Sequence, residues 1–403
     1  MANTIITPSI IAKEALMQLE NNLVMGNNVH KEYKKEFVKV GSSVSIRKPV
    51  KFVASDGATR VNQDVEEATT TFSIDKRKHV SWKFSTNDLT MSIEQYSERY
   101  IRPAMIALAN QVDADLCALY KNVFNFSGTA GTTPATFAAL GGAARKLDEC
   151  AVPDDGMRKL VLNPAARWSM ADALKTTYNP GIASDMVRKG LLGQVANFEI
   201  FGDQNIKSHT KGTATGTPLV NGGSQNVTYA ASTAGGTSQS LVTDGWTNSV
   251  TGILKAGDKF TIAGVYSVNP ISKVSTGNLQ QFTVLADADS GASTGPATLS
   301  ISPAIITSGP YQTVDAAPAD NAAITVLASY AANLAFHKNA FGLVTCPLEL
   351  PDGAAFKARE SSDGLSVRVV KDYDIANDDD IIRLDILYGT KVLYPEMACV
   401  LLG

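Results

Sequence analysis

Few residues in this 403-residue chain have the types and spacing that chemistry needs. Gly291-Ala292-Ser293-Thr294-Gly295 spells G-x-S-x-G, which in hydrolases exposes a nucleophilic serine on a strand-to-helix elbow. No helix-start signal follows it and its flanks are of low complexity, so a surface loop is expected. Asp372, Asp374, Asp378, Asp379 and Asp380 could offer oxygens to a hard cation, but the glycine and closing glutamate of a calcium loop are missing. A solvated turn between strands is the expectation. The histidines His30, His79, His209 and His337 fall in unrelated segments, and His337-Lys338 follows an apolar strand, where a packing histidine is expected rather than a metal ligand. Cys117, Cys150, Cys346 and Cys399 show no C-x-x-C spacing and read as buried thiols. The sequence contains no phosphate loop, no H-E-x-x-H pair and no G-x-G-x-x-G. No catalytic residue, metal or cofactor is expected, and the chain does not read as an enzyme.

The elements that would hold any site read more clearly. Ile10, Ile11, Leu16, Leu19 and Leu23 make a helical stripe between the start signals Pro8-Ser9 and the stop Gly26. An isolated helix of that length is marginal in water, so it should dock on another surface, such as a neighbouring subunit. From Val44 to Phe84 the period falls to two, with Asp56-Gly57 as a turn. This predicts a long projecting hairpin rich in Arg47, Lys48, Lys51, Arg60, Lys76, Arg77 and Lys78. Ser92 and Gln95 have capping-box spacing ahead of Ile101, Met105, Leu108, Val112, Leu116 and Leu119, a long helix reaching about Lys121. Pro103 either kinks it or sits in the first turn of its main part.

Helices from about Pro134 to Glu149 and from Asn163-Pro164, a short helix capped by Ser184, and strands at Lys159–Leu162 and Phe198–Phe201 imply a mixed α/β unit. Between Lys211 and about Thr325 the chain turns rich in Gly, Ser and Thr. Strand-like pieces at Lys259–Ile262, Phe282–Leu285 and Thr298–Ile301 predict an all-β insertion, after which longer apolar strands complete the interrupted unit.

Composition sets limits on function. An apolar fraction of 44% and a charged fraction of 19% suit folded domains, and the formal charge of −3 argues against nucleic-acid binding as the main task. No run is long and apolar enough for a membrane span, and the stretch Met1 to Glu20 has no signal-peptide pattern.

Together these elements describe an assembly subunit, and the wording of particular segments makes a resemblance specific. The run Gly193-Gln194-Val195-Ala196-Asn197-Phe198-Glu199-Ile200 and the run Asn333-Leu334-Ala335-Phe336-His337-Lys338-Asn339-Ala340-Phe341 are similar to tailed-phage major capsid proteins. So is Arg383-Leu384-Asp385-Ile386-Leu387-Tyr388-Gly389 with Tyr394-Pro395-Glu396. Leu254-Lys255-Ala256-Gly257-Asp258-Lys259-Phe260-Thr261-Ile262, with Ile301-Ser302-Pro303-Ala304-Ile305-Ile306, resembles the insertion domain of the Salmonella phage P-22 type coat protein.

The resemblance implies an α+β HK97 fold: an N-terminal arm (1–40), an extended loop (41–85), a peripheral domain with a spine helix (86–160), an axial domain (161–211), an inserted six-stranded β-barrel (212–328) and completing strands (329–403). It further implies an icosahedral head of hexamers and pentamers, built in the host cytoplasm on a scaffolding protein, with a portal protein at one vertex and double-stranded DNA inside. Glu14 and Glu20 would meet the scaffold, and the basic residues of the extended loop would meet neighbouring subunits. A shell without covalent cross-links is expected. The alternatives are a nanocompartment shell of the same fold and a β-rich surface-binding protein.

Overall fold

The structure is a computed structural model that describes residues 8–31, 43–54, 57–60, 62–63, 65, 67–85, 97–174, 192–230, 238–354, 356–362, 365–375 and 379–403. The chain forms two compact units, each gathered from separated stretches.

The first unit takes residues Met1–Val44, Thr71–Leu116 and Phe341–Lys391. Its sheet runs in the order Phe341–Thr345, Asp379–Val392, Leu365–Asp374, Phe356–Ser362, with Lys76–Ser85 also paired along Asp379–Val392. The helix Pro8–Asn22 packs on strands Phe356–Ser362 and Leu365–Asp374 and buries Ile11, Ala12, Ala15, Leu16 and Leu19. The expected docking surface is thus met within the unit itself. The turn after this helix is held by one carboxylate: buried Asp113 accepts hydrogen bonds from the N–H groups of Val24 (2.7 Å) and Gly26 (2.8 Å). Asp113 comes from the long helix Arg102–Cys117. A π-turn, Ser97–Ile101, precedes that helix and a 3-10 turn, Ala118–Asn122, follows it. Of the two expectations for Pro103, the second holds: it lies in the first turn of the main helix, where its missing N–H costs nothing. The capping residues Ser92 and Gln95 lie outside the described residues, as does Ser184.

The basic segment departs from one long hairpin. Strands Ser43–Arg47 and Thr69–Ser73 pair with each other, but Lys76–Ser85 leaves them and pairs over ten residues with Asp379–Val392. The reason is burial: alternation marks Lys76–Ser85 as a strand, while a partner that brings Leu384, Ile386 and Tyr388 into a core outcompetes a solvated neighbour.

The second unit takes residues Ser45–Thr70, Cys117–Ala340 and Val392–Gly403. Its central sheet has the order Phe126–Ser127, Ala398–Leu402, Tyr330–His337, Arg158–Leu162, Phe198–Gly202, Gln194–Val195, with Ser208–His209 added along Tyr330–His337. Helix Phe137–Glu149, capped by the Thr136 hydroxyl accepting from the N–H of Ala139, supplies Leu140, Ala143 and Leu147 to the core over this sheet. Helix Pro164–Leu174 adds Ala166 and Met170.

The predicted insertion is a six-stranded antiparallel sheet in the order Ile324–Val326, Lys259–Val268, Ser275–Val284, Ala297–Ser302, Gln239–Trp246, Gly216–Val220. A bridge between Leu219 and Ala323 ties its two edges, so the sheet curls into a nearly closed barrel. Leu241, Trp246, Phe260, Phe282, Leu299 and Ile301 fill it. Closure answers the edge-strand problem that a free sheet would face.

Candidate functional site

The described residues among those that looked chemical in the sequence take part in turns, hydrogen bonds and ion pairs of the fold. Ser293 lies in a loop that is followed by strand Ala297–Ser302, not by a helix. Gly295 closes that loop at a φ of 63°, and a side chain there would run into the backbone of Trp246. The glycine serves a tight turn rather than a nucleophile. His337 is buried, with Nε2 at 3.1 Å from Asp155, and its Nδ1 accepts from the N–H of Asn339. None of the four cysteines is in a disulfide; Cys117 and Cys399 are buried as expected, Cys150 and Cys346 only half-buried, and burial pushes the thiols of Cys150 and Cys399 up to about 11 and about 12, far from a reactive thiolate. Of the aspartate cluster, Asp379 meets Lys83 (2.7 Å) and Asp380 meets Lys371 (3.3 Å), while Asp378 lies outside the described residues. Among the described residues no group of side chains could hold a metal ion, and no helix is long and apolar enough to cross a membrane.

One cluster that the sequence reading missed sits where the barrel joins the α/β part of its unit. His209 Nε2 lies 2.8 Å from Asp258 Oδ1, and the Tyr120 hydroxyl lies 2.8 Å from His209 Nδ1. Asp258 Oδ2 accepts from the N–H groups of Lys255 (2.7 Å) and Gly212 (3.0 Å). With the carboxylate accepting on both oxygens, His209 donates through Nε2 and accepts a hydrogen bond from the Tyr120 hydroxyl on Nδ1. Tyr330 donates to the carbonyl of Gly257 at 2.8 Å, and the ring of His209 lies 5.0 Å from that of Tyr330. Gly257, at a φ of 104°, lets the backbone pass against His209.

The line Tyr-His-Asp is a relay in outline. All three side chains are buried, and burial, followed by the charge of Asp258, pushes the Tyr120 phenol up to about 12. The junction is stapled further by Lys259, whose ammonium donates to the carbonyl of Val123. Thr283 donates to the carbonyl of Lys121 (2.9 Å), and the Gln281 amide pairs with both backbone groups of Phe126 (2.8 and 2.9 Å). No pattern in the sequence could announce this cluster, because His209 stands 89 residues from Tyr120 and 49 from Asp258.

The assembly candidates fall into two groups. Arg47 pairs with Glu67 at 3.1 Å on an open surface, and Lys51 and Arg60 are exposed. Glu14 and Glu20 lie half-buried on the first helix, and Glu20 Oε1 is shielded from solvent without a hydrogen-bond partner among the described residues. Lys76 and Arg77 are engaged at home, with Asp115 (3.3 Å) and Asp385 (3.5 Å) respectively, while Lys78 lies on the same strand. Asp385 is fully buried and also takes Arg368 (2.6 Å) and Arg383 (2.8 Å).

The comparison with protein families decides the reading: the family described as P22 coat protein, gene protein 5, matches residues 1–403. The chain belongs to the P22 coat protein family. It is a structural protein, a phage major capsid protein of the HK97-like α+β fold with an inserted β domain, and its place is the virion shell.

No curated protein matches the chain. Among solved structures it is similar to a chain of Mycobacterium phage Che8, at 15% identity and a TM-score of 0.49, covering 94% of this chain and 90% of that one. It is also similar to a chain from the mature capsid of bacteriophage PhiM1, at 11% identity and a TM-score of 0.42, covering 89% and 81%. A third similarity is to the coat protein I-domain of CUS-3, at 33% identity over 28% of this chain and 96% of that chain, with a TM-score of 0.20.

Proposed function

We propose that this subunit assembles, on an internal scaffolding protein, into hexamers and pentamers of an icosahedral head that is built in the host cytoplasm, carries a portal protein at one vertex and encloses double-stranded DNA. The observation that carries this reading is the match to the coat protein family along the whole chain. In this reading residues 1–40 are the arm, 41–85 the extended loop, 86–160 the peripheral domain, 161–211 the first part of the axial domain, 212–328 the insertion and 329–403 the completing strands of the axial and peripheral domains.

The distribution of charge supports it. Arg47, Lys51 and Arg60 lie on the open part of the extended loop, where contacts with neighbours would form, and Glu14 and Glu20 would face a basic segment of the scaffold. A net charge of −3 avoids a strongly basic lining that would grip DNA phosphates. The test is expression with and without the scaffolding protein of the same genome, followed by electron microscopy and sedimentation. Uniform closed shells only in the presence of scaffold are expected. Small oligomers under both conditions would sink the proposal.

A further inference from the structure

The second unit carries an open apolar groove. It encloses about 280 Å³ and is lined inwardly by the buried side chains of Phe124, Ala304 and Ile306. Tyr229 and Tyr311 stand beside it as a stacked pair, with ring centres 3.5 Å apart and planes 3° from parallel. Its rim carries Lys48, whose ammonium lies 6.0 Å from the centre of the Tyr394 ring, together with exposed Lys51 and one acidic group, Glu396. Lys273 is close enough to Lys51 for its ammonium to be pushed down to about 8, first by burial and then by that neighbouring charge. An aromatic wall under a rim of net positive charge suits an aromatic side chain flanked by carboxylates.

The chain itself presents such a group elsewhere. The hairpin between strands Leu365–Asp374 and Asp379–Val392 exposes Tyr373 at 50% and Ile375 at 86%, the latter the most exposed large apolar side chain among the described residues. Asp372 and Asp374 flank Tyr373 directly. We propose that in the assembled shell the Asp372-Tyr373-Asp374-Ile375 tip of one subunit docks in the Tyr229/Tyr311 groove of another copy, with Tyr373 as the anchor and the lysines of the rim meeting its aspartates.

A second copy is the occupant that fits best, because groove and tip occur in equal number on every subunit and are complementary in both shape class and charge. Two different patches meeting head to tail form the heterologous contact from which rings are closed. An aromatic anchor in an apolar pocket, ringed by polar pairs, is also where interface energy concentrates. The inference rests on the shell reading above.

The test uses unmodified protein. Shells assembled from a mixture of nitrogen-15-labelled and unlabelled subunits are treated with a zero-length carbodiimide, which joins an amine to a carboxylate only where they touch, and the linked peptides are read by mass spectrometry. The expected product joins Lys48 or Lys51 to Asp372 or Asp374 in mixed heavy and light pairs. Same-label pairs alone, no such link, or the same lysines joined to scaffolding protein would each overturn the contact. If no shells form at all, it is the assembly reading that has failed, and the contact falls with it.

A second arm uses variants whose monomer melting is unchanged. Tyr373→Ala should weaken subunit association about tenfold, the scale of a removed interface anchor. Lys51→Asp and Asp372→Lys should each impair assembly and restore it when combined. Unchanged assembly in folded single variants counts against the contact.

Discussion

The buried charges of this subunit carry different signs of pH dependence. Burial pushes the Lys259 ammonium down to about 7, whereas an exposed lysine in the unfolded chain keeps its proton to roughly pH 10.4. Between those values the unfolded state binds more protons, so this residue makes stability rise with pH. Cys150 and Cys399 act oppositely, since burial keeps their protons in the fold at a pH where unfolded thiols lose them. Lys259→Met is therefore expected to remove the rising component, and its melting temperature measured from pH 7 to 10 should fall relative to that of the parent.

Asp385 works at the acid end. Burial alone would raise its carboxyl, but hydrogen bonds from Arg368 and Arg383 outweigh this and hold it below the usual carboxylate range. The stability it confers is full above about pH 4 and is lost as pH falls toward the lowered value. Asp385→Ala leaves Arg77, Arg368 and Arg383 without their common anion and should cost about 3–5 kcal/mol in denaturant unfolding at neutral pH, with a flatter acid limb.

Among the elements, the first helix depends on a residue far along the chain. Asp113→Ala leaves the N–H groups of Val24 and Gly26 without an acceptor, which should cost about 1–3 kcal/mol and speed hydrogen exchange at those two amides before the rest of the helix opens. The helix itself was legible because Ile11, Leu16 and Leu19 recur at helical spacing, and the barrel because its composition changes abruptly while apolar pieces persist. The partner of Lys76–Ser85 was not legible. Period two announces a strand and its faces, but the pairing with Asp379–Val392 is decided by burial some three hundred residues later. The same limit hid His209, since one histidine between Ser208 and Thr210 has no local signature. Of the assembly candidates, sequence marked the charge but not its surroundings, which is why Arg77 and Arg60 looked alike.

At the scale of the whole molecule that difference becomes measurable. Arg60 is exposed, so Arg60→Glu should leave monomer stability within about 0.5 kcal/mol while altering shell yield. Arg77→Glu places a carboxylate beside buried Asp385 and should destabilise the monomer before assembly begins. Comparing monomer melting with sedimentation of assembled product separates the two. A shell protein of this kind tolerates weak individual contacts because many act together, and the hydrogen bonds at Tyr120, His209 and Asp258 tie the barrel to the rest of its own unit.

The interleaving of the chain also sets a timetable for synthesis. Strand Ala398–Leu402 lies between Phe126–Ser127 and Tyr330–His337 in the central sheet, so that sheet stays open until the strand has left the ribosome. The barrel strands are contiguous in the chain and can close several seconds earlier, at translation speeds of about 5–20 residues per second. A nascent subunit would thus carry a finished barrel on an unfinished body, with its central sheet completed last.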